Sequence, residues 1–316
     1  FYGLGAIKSV GFEAISNIVN EREKNGKFNT FTDFIKRVDP KDVNKLQLEG
    51  LVKAGAFDEI DTNRKKLFEA IPMIIQTIKS KYDEKISNQA NLFDDIGDKE
   101  NEIFEFNETK PWTKKELLSE EFVSVGFYIS DHPLNEYKEF FTELEIQSYK
   151  DFLESDKSES LIAGTIMSIQ EKKSAKGNSY AIVKFSDNKS EFEIFLFSDL
   201  FSSNREKLKE SNSFVLTLYK EKNTSENSLV RVNIRKIVDL SELVNKTYEH
   251  VSIELNDKEK LKELSEILKT TGETKIKVIL KDNSKNYLFE LQKARKFDFI
   301  LFSLIKNKEY VKKISF

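Results

Sequence analysis

The stretch GLGAIKSVGFEAISNIVNERE, Gly3–Glu23, joins an apolar turn to a patterned helix. The apolar residues that follow Gly11 recur at helical spacing: Ala14, Ile15, Ile18 and Val19. This spacing predicts one buried face of an amphipathic helix. A glycine here permits a tight backbone turn, and the free N–H groups at the start of the helix favour an anion. A corner that only packs two helices together fits this stretch equally well.

Composition sets the limits for the rest of the chain. The sequence has 316 residues, of which 39% are hydrophobic and 33% charged, and this predicts two or three compact units with enough apolar side chains for separate cores. It contains no cysteine, which excludes disulfides and thiolate metal sites and fits a reducing cytoplasm. The formal net charge is −3, so any contact with a polyanion must come from local basic patches or backbone amides.

The first half of the chain has helical patterns. Residues 1–60 indicate two helical hairpins in tandem, the second within VNKLQLEGLVKAGAFDEI. Residues 61–158 begin with a further helix, which Pro72 is expected to kink or divide, and continue into a polar stretch that we interpret as an exposed linker. The segment TKKELLSEEFVSVGFYIS then predicts another helix.

The second half changes to strand periodicity. Residues 159–240 contain five strand candidates with a short helix after the third, which is the order of a five-stranded OB-type β-barrel. In the last candidate, Val230, Val232 and Ile234 alternate with Arg231, Asn233 and Arg235, which predicts one core face and one basic face. Residues 241–316 indicate a small α+β domain with the order strand, helix, two strands, helix.

Signals for catalysis are lacking. His132 and His250 stand far apart, so we expect capping or surface roles for them and no metal site. The sequence has no phosphate-binding loop, no complete dinucleotide fingerprint and no nucleophile elbow. No pair of carboxylates falls on a predicted strand end, and the residues therefore favour a binding unit over a self-contained enzyme.

Three segments in order carry a family resemblance: the opening stretch, then FTDFIKRVDPKDVNKLQLEGLVKAGAFD, then GFYISDHPLNEY. Together with the barrel segment AGTIMSIQEKKSAKGNSYAIVKFSD, they resemble the C-terminal third of bacterial DNA polymerase III alpha subunits. The resemblance covers residues 1–240 strongly and the final domain loosely. It implies a multidomain α+β fold with an all-α tandem helix-hairpin-helix region, the OB-type barrel and the small terminal domain.

The resemblance also implies roles for the first hairpin. In this family the hairpin module holds duplex DNA behind the active site, and here its residues are Lys8, Ser9, Val10 and Gly11. Backbone N–H groups would contact a phosphate without reading sequence, and the Lys8 side chain would add a charge. Ser9 departs from the family glycine, which would weaken that contact. Asp131 replaces another family glycine, with no predicted consequence.

For the barrel, the resemblance implies a single-strand binder near the incoming template. The loop EKKSAKGNS would place Lys172, Lys173 and Lys176 around Gly177, as such loops clasp single strands in OB folds. Tyr180 would stack on a base, and Phe192 is assigned to the core. Arg231 and Arg235 fit either single-strand binding or a solvated face.

The resemblance also implies protein partners. The polar stretch contains QANLFDD, and Gln89, Leu92 and Phe93, within 89–93, match the short peptide that holds the beta sliding clamp. In some relatives the terminal region contacts the clamp-loader tau subunit. The catalytic palm, which needs Mg²⁺, lies upstream in the family, so we expect a cytoplasmic fragment that has no nucleotidyltransferase activity or cofactor of its own, although the full-length polymerase is an enzyme. An interaction adaptor and an error-prone paralogue remain alternatives.

Overall fold

The computed structural model of the chain describes residues 3–86, 106–221, 231–282 and 285–316. The chain divides into two compact units, Phe1–Asp131 and His132–Phe316. No helix within the described ranges is long and apolar enough to cross a membrane. After a short 3-10 turn at Leu4–Ala6, the described part of the first unit forms α1 (Phe12–Asn25), α2 (Phe31–Arg37), α3 (Lys45–Lys53), α4 (Arg64–Ile86) and α5 (Lys114–Val125).

Side-chain caps fix where three of these helices begin. Thr30 accepts the N–H of Asp33 at the start of α2. Asn44 and Gln47 form a capping box on α3, and Thr113 and Glu116 form another on α5. The hydrogen bonds that Glu116 accepts from the backbone and side chain of Thr113 hold the pKa of the Glu116 carboxyl below its usual value.

Aromatic rings and α4 build the core of the first unit. The ring centroid of Phe57 lies 4.9 Å from that of Phe31 and 5.1 Å from that of Phe34. Pro72, predicted to kink or divide this helix, does not divide α4, because it sits exposed while Leu67, Ile71, Ile74 and Ile78 are buried along the opposite face. The burial of that face outweighs the single backbone hydrogen bond that proline removes.

A buried ion pair ties α4 to α5. Arg64 donates to both carboxylate oxygens of Asp58, at 2.9 and 2.6 Å, and to Glu121 Oε2 at 3.2 Å. Glu121 is fully buried, and its other oxygen accepts the N–H groups of Ile129 and Ser130. Burial alone would lower the pKa of Arg64, but the hydrogen bonds and charges of Asp58 and Glu121 raise it on balance. The guanidinium therefore stays charged and holds the two helices together.

The second unit starts with two short helices and a five-stranded antiparallel sheet. Its elements are α6 (Lys138–Glu143), α7 (Tyr149–Glu154), β1 (Glu159–Lys173), β2 (Ser179–Ser186), β3 (Glu191–Leu196), α8 (Ser198–Asn204), β4 (Ser213–Glu221) and β5 (Arg231–Asp239). The strand order is β3-β2-β1-β4-β5. All five strands contribute side chains to one core, which includes Ile166, Phe185, Ile194, Leu216 and Ile237. The five strands and the helix after the third agree with the sequence prediction.

The predicted OB-type barrel is not confirmed. Within the described residues, no hydrogen-bonded ladder joins β3 to β5, so the sheet has two edges. The edge strand β3 spans only six residues. The other edge strand, β5, has a bulge at Arg235, because Ile234 and Lys236 pair with the consecutive residues Leu218 and Thr217. The bulge also ends the predicted alternation, so that Arg235 and Lys236 are both exposed.

The remaining chain forms a second sheet. Its elements are α9 (Leu240–Val244), β6 (His250–Leu255), α10 (Leu261–Ile267), β7 (Thr271–Asp282), β8 (Lys285–Glu290), α11 (Phe299–Lys306) and β9 (Val311–Ser315). The order is β8-β7-β6-β9, with β6 and β7 parallel and the other neighbours antiparallel. Phe302 and Ile314 are fully buried in its core, where Leu134 and Phe140, from the chain before the first sheet, also pack. The last strand, β9, was not predicted from the sequence.

Candidate nucleic-acid interface

The first hairpin turns at Ser9, which connects the 3-10 turn to α1. Ser9 has φ 65°, in the left-handed region that glycine adopts without steric cost. Gly11 has φ −72° and ψ 136°, which any residue can adopt. The conformational need for glycine therefore lies at Ser9, where the sequence departs from the family pattern, and not at Gly11, where the sequence pattern suggested it.

The fold already uses two of the four amides assigned to phosphate binding. The N–H of Lys8 donates to the carbonyl of Ser124 at 2.8 Å, and the N–H of Val10 donates to the carbonyl of Ile7 at 3.2 Å. Val10 is buried as well. Among the described residues, the N–H groups of Ser9 and Gly11 donate to no protein acceptor. The predicted set of four donors narrows to these two.

The start of α1 extends this donor set. Gly11 is its N-cap residue and provides no side-chain cap, and the first hydrogen bond within the helix is donated by Ile15. The N–H groups of Phe12 and Glu13, both exposed, therefore have no intrahelical acceptor. Together with those of Ser9 and Gly11 they form a short run of open donors at the positive end of a helix dipole. The Glu13 carboxylate in the first turn reduces the attraction for an anion.

Gly50 in α3 forms the base of the hairpin. A methyl group at Gly50 would lie 3.0 Å from the carbonyl oxygen of Lys8 and 3.3 Å from Val10 Cγ2. Only a glycine lets the backbone of the turn approach α3 this closely. Gly50 was not predicted from the sequence, since nothing in a helical pattern shows which turn will pack against it.

The Lys8 side chain extends over the end of α5. A methyl group at Gly126, which closes that helix in the left-handed conformation, would lie 3.8 Å from Lys8 Nζ. The ammonium therefore lies near the negative end of the α5 dipole and remains exposed. This position compensates the helix end and leaves the charge accessible to a phosphate.

The second hairpin, between α2 and α3, is closed by its own side chains. Asn44 Oδ1 accepts the N–H of Gln47, and Gln47 Oε1 accepts the N–H of Asn44. Asp39 accepts the N–H of Lys41 within the turn. At the start of α3 the exposed N–H groups of Lys45 and Leu46 have no intrahelical acceptor, so the second hairpin offers fewer open amides than the first.

The lysines predicted around the β1–β2 loop take different positions. The loop is a tight turn at 174–178, in which Gly177 has φ 83°, so that Lys172 and Lys173 lie on β1 itself. Lys172 is paired with Tyr180 across the strands and Lys173 with Ser179. Since neighbouring residues face opposite sides of a sheet, only Lys172 shares the outer face with Tyr180. Lys176 is exposed in the turn.

Phe195 on β3 is an aromatic side chain of this face that was not predicted from the sequence. It is 48% exposed and pairs with Ile182, which lies two residues along β2 from Tyr180 on the same side. Phe192 is buried and stacks on Tyr149 at 4.3 Å, so its assignment to the core is confirmed. Strict alternation on β3 distinguishes the two rings and is the signal that could have found Phe195. We call Lys172, Tyr180, Ile182 and Phe195 the outer patch.

The two arginines of β5 contact acidic neighbours. Arg231 lies 3.8 Å from Glu221, and Arg235 lies 3.1 Å from Glu159 with its guanidinium 5.3 Å above the ring of Tyr219. Both side chains are exposed, and these pairs reduce the charge that they offer to a phosphate. Their geometry fits a solvated face better than a nucleic-acid contact.

Other predicted residues have simpler outcomes. Gln89, Leu92 and Phe93 lie outside the described residues. His132 Nδ1 accepts the N–H of Leu134 and so caps the short 3-10 helix Pro133–Tyr137, as a capping role predicts. Within the ranges that the structure describes, no group of three or more acidic or histidine side chains is placed to hold a metal ion.

The geometry of the first hairpin agrees with a comparison to known protein families. Residues 1–67 match the family described as helix-hairpin-helix motif. The chain is 29% identical over 94% of its length to the DNA polymerase III subunit alpha of Borreliella burgdorferi, and 36% identical over 63% of its length to that of Rickettsia bellii. The resemblance predicted from the motifs is thus confirmed. The chain spans 27% and 17% of the length of these two relatives.

Solved structures give a weaker likeness. A mitochondrial single-stranded DNA-binding protein of S. cerevisiae, Rim1, is 18% identical, and the match covers 27% of this chain and 97% of that protein with a TM-score of 0.23. A likeness at this level carries no conclusion about ligands.

Proposed function

We propose that this chain is the DNA-holding part of a DNA polymerase III alpha subunit and that its first hairpin binds duplex DNA through a backbone phosphate. The observation that carries the proposal is the set of open amides at Ser9, Gly11, Phe12 and Glu13 in a chain that is similar over 94% of its length to one alpha subunit. Amide donors contact phosphates of any sequence, as a polymerase that moves along DNA requires.

The wider roles follow from the same family. The five-stranded sheet would act as an OB-type barrel that binds single-stranded template through the outer patch. Gln89, Leu92 and Phe93 would hold the beta sliding clamp, and the terminal domain would contact the clamp-loader tau subunit. Synthesis itself, with its Mg²⁺ ions, would belong to carboxylates outside this chain, in the bacterial cytoplasm.

Gly11→Asp tests the duplex-binding proposal. Aspartate is a preferred N-cap, so the variant should keep or slightly raise the stability of α1, by a few tenths of a kcal/mol. Its carboxylate would occupy the open amides and repel a phosphate. We therefore expect at least a tenfold loss of affinity for several unrelated duplexes, measured by fluorescence anisotropy at low salt.

Gly11→Asn is the matched control, since it has the same shape without the charge. It should lose much less affinity than the aspartate variant. If the parent chain binds no duplex, or if the aspartate variant binds as tightly as the parent, the hairpin does not hold DNA. A strong preference for one duplex sequence would also contradict amide-based binding.

A further inference from the structure

Within the described residues, the β8 strand lies at a sheet edge that no other strand covers, and it carries three consecutive large apolar side chains. In this part of the chain it pairs with β7 alone. Tyr287 is 45% exposed, Leu288 64% and Phe289 42%. Proteins usually protect such an edge with charge, proline or a covering element, because it can pair with another strand.

The backbone groups that face outward can be assigned from the ladder. The N–H of Leu291 donates to the carbonyl of Ile276 at 3.1 Å, continuing the regular register of β7 and β8. Since hydrogen-bonded pairs alternate along antiparallel strands, Tyr287 and Phe289 turn their backbone groups toward β7. The N–H and C=O groups of Asn286, Leu288 and Glu290 therefore point away from the sheet, in the repeat that an added strand requires.

The surroundings of this edge are basic, although the whole chain has a net charge of −3. Residues 275–296 contain seven lysines and arginines against two acidic residues. Within the described residues, Lys275, Lys277 and Lys293 make no ion pair. Lys277 lies opposite Glu290 on the open face of the sheet.

We propose that the β8 edge binds an extended acidic segment of a partner protein as an additional strand. Apolar residues of that segment would pack beside Tyr287 and Phe289, and its acidic residues would project from the other face toward Lys277, with Lys293 adding positive charge nearby. This inference uses no observation on the first helical hairpin and does not depend on duplex binding.

Two other occupants fit the edge less well. If a second copy of the chain paired through this edge, the basic β7–β8 regions of the two copies would lie side by side, and their like charges would repel. A nucleic-acid strand has no alternating backbone donors and acceptors to match the outward groups. An acidic polypeptide satisfies both the backbone groups and the charge.

The probe is a labelled nine-residue peptide that alternates valine with glutamate, added to the whole chain. We expect binding at low salt, and at least tenfold weaker binding of the same peptide with lysine in place of glutamate. Hydrogen exchange at the amides of Asn286, Leu288 and Glu290 should slow in the complex. The amides of Tyr287 and Phe289, already bonded to β7, should change little.

Leu288→Pro removes one outward N–H without removing a bond to β7, because edge strands tolerate proline where the N–H faces solvent. It should weaken peptide binding at least tenfold, whereas Leu288→Thr, which keeps the N–H, should bind within about threefold of the parent. Lys277→Glu combined with Lys293→Glu should also weaken peptide binding tenfold. The control is Lys312→Glu, which changes an exposed lysine on β9.

Several results would overturn the proposal. Unchanged exchange at the three outward amides, or equal binding of the glutamate and lysine peptides, would exclude an acidic added strand. Displacement of the peptide by an oligo-dT strand at equal concentration would assign the edge to nucleic acid. Self-association of the parent chain that Leu288→Pro abolishes would assign it to a second copy.

Discussion

The N–H of Lys8 donates to the carbonyl oxygen of Ser124 at 2.8 Å and so attaches the turn of the first hairpin to the end of α5. That carbonyl belongs to the last turn of a helix, where carbonyl oxygens find no N–H donor within the helix itself. One orphan acceptor of α5 is thus satisfied by one amide of the hairpin. The attachment comes from beyond residue 67, where the match to the helix-hairpin-helix family ends.

Ser9→Gly should tighten this attachment. Serine in the left-handed conformation costs roughly 1 kcal/mol relative to glycine, so the variant should stabilise the turn by about that amount. Hydrogen exchange of the Lys8 amide measures the local opening and should slow roughly fivefold. Ser9→Ala keeps the strain and should exchange like the parent. Faster exchange in the glycine variant would show that Ser9 stabilises the turn in another way.

Gly50→Ala should have the opposite effect on the same amide. The added methyl would meet the Lys8 carbonyl at 3.0 Å and force the turn away from α3, at a cost of about 1–3 kcal/mol. Alanine favours the helix itself, so a loss of stability would come from the contacts of the added methyl with Lys8, Val10 and Ile7. The Lys8 amide should exchange faster and duplex affinity should fall. Glu49→Ala, one residue away in α3, should leave both unchanged.

Arg64→Met should strongly destabilise the first unit. It would leave the fully buried Glu121 carboxylate without its cation, at a cost of about 3–5 kcal/mol. Urea unfolding monitored by the single tryptophan, Trp112, which packs on Phe68, reports on this unit. Arg64→Met combined with Glu121→Gln should recover part of the loss, because the amide oxygen still accepts the N–H groups of Ile129 and Ser130. No recovery in the double variant would show that the charge of Glu121 is not the cause.

On the sheet, Phe195→Ala should lower single-strand affinity without changing its salt dependence. Base stacking on an aromatic ring contributes roughly 1–3 kcal/mol, and no phosphate contact is lost. Replacing Lys172 and Lys176 together by alanine should instead reduce the salt slope by about 1.4, because Lys173 faces the other side of the sheet. Oligo-dT titrations at several salt concentrations separate the two effects. Phe192→Ala controls for unfolding. If the Phe195 variant and the lysine variant both bind single strands as tightly as the parent chain does, this surface does not bind them.

Leu92→Ala combined with Phe93→Ala tests the clamp assignment. The two side chains would fill an apolar pocket on the clamp, so most of the affinity should disappear. Duplex binding should stay unchanged, because the open amides belong to a separate segment. A pull-down and titration with the clamp of the same organism measure the loss. Parental clamp affinity in the double variant would refute the motif.

Most helices and strands were predictable because their signals are local. Thr113 and Glu116 form the capping box of α5, and the alternation on β2 and β3 separates core from surface. β9 was missed because its five residues bury only Val311 and Ile314 and contain a bulge that breaks the alternation.

The interface was less predictable, because its chemistry depends on tertiary contacts. Nothing near Lys8 in sequence shows that its amide is used by Ser124. The same holds for Gly50, whose partner turn is distant in the chain. The sequence could identify the hairpin, but only the packing shows which of its donors remain open.

The Arg64–Glu121 pair has a consequence for the chain between α4 and α5. Because the ion pair fixes the two helices to each other, the distance between the end of α4 and the start of α5 does not depend on the length of the chain between them. Doubling the length of such a connection raises the entropic cost of closing it by only about 0.6 kcal/mol. The position of α5, and of the first hairpin that the N–H of Lys8 attaches to it, therefore depends on this ion pair more than on the chain that joins the two helices.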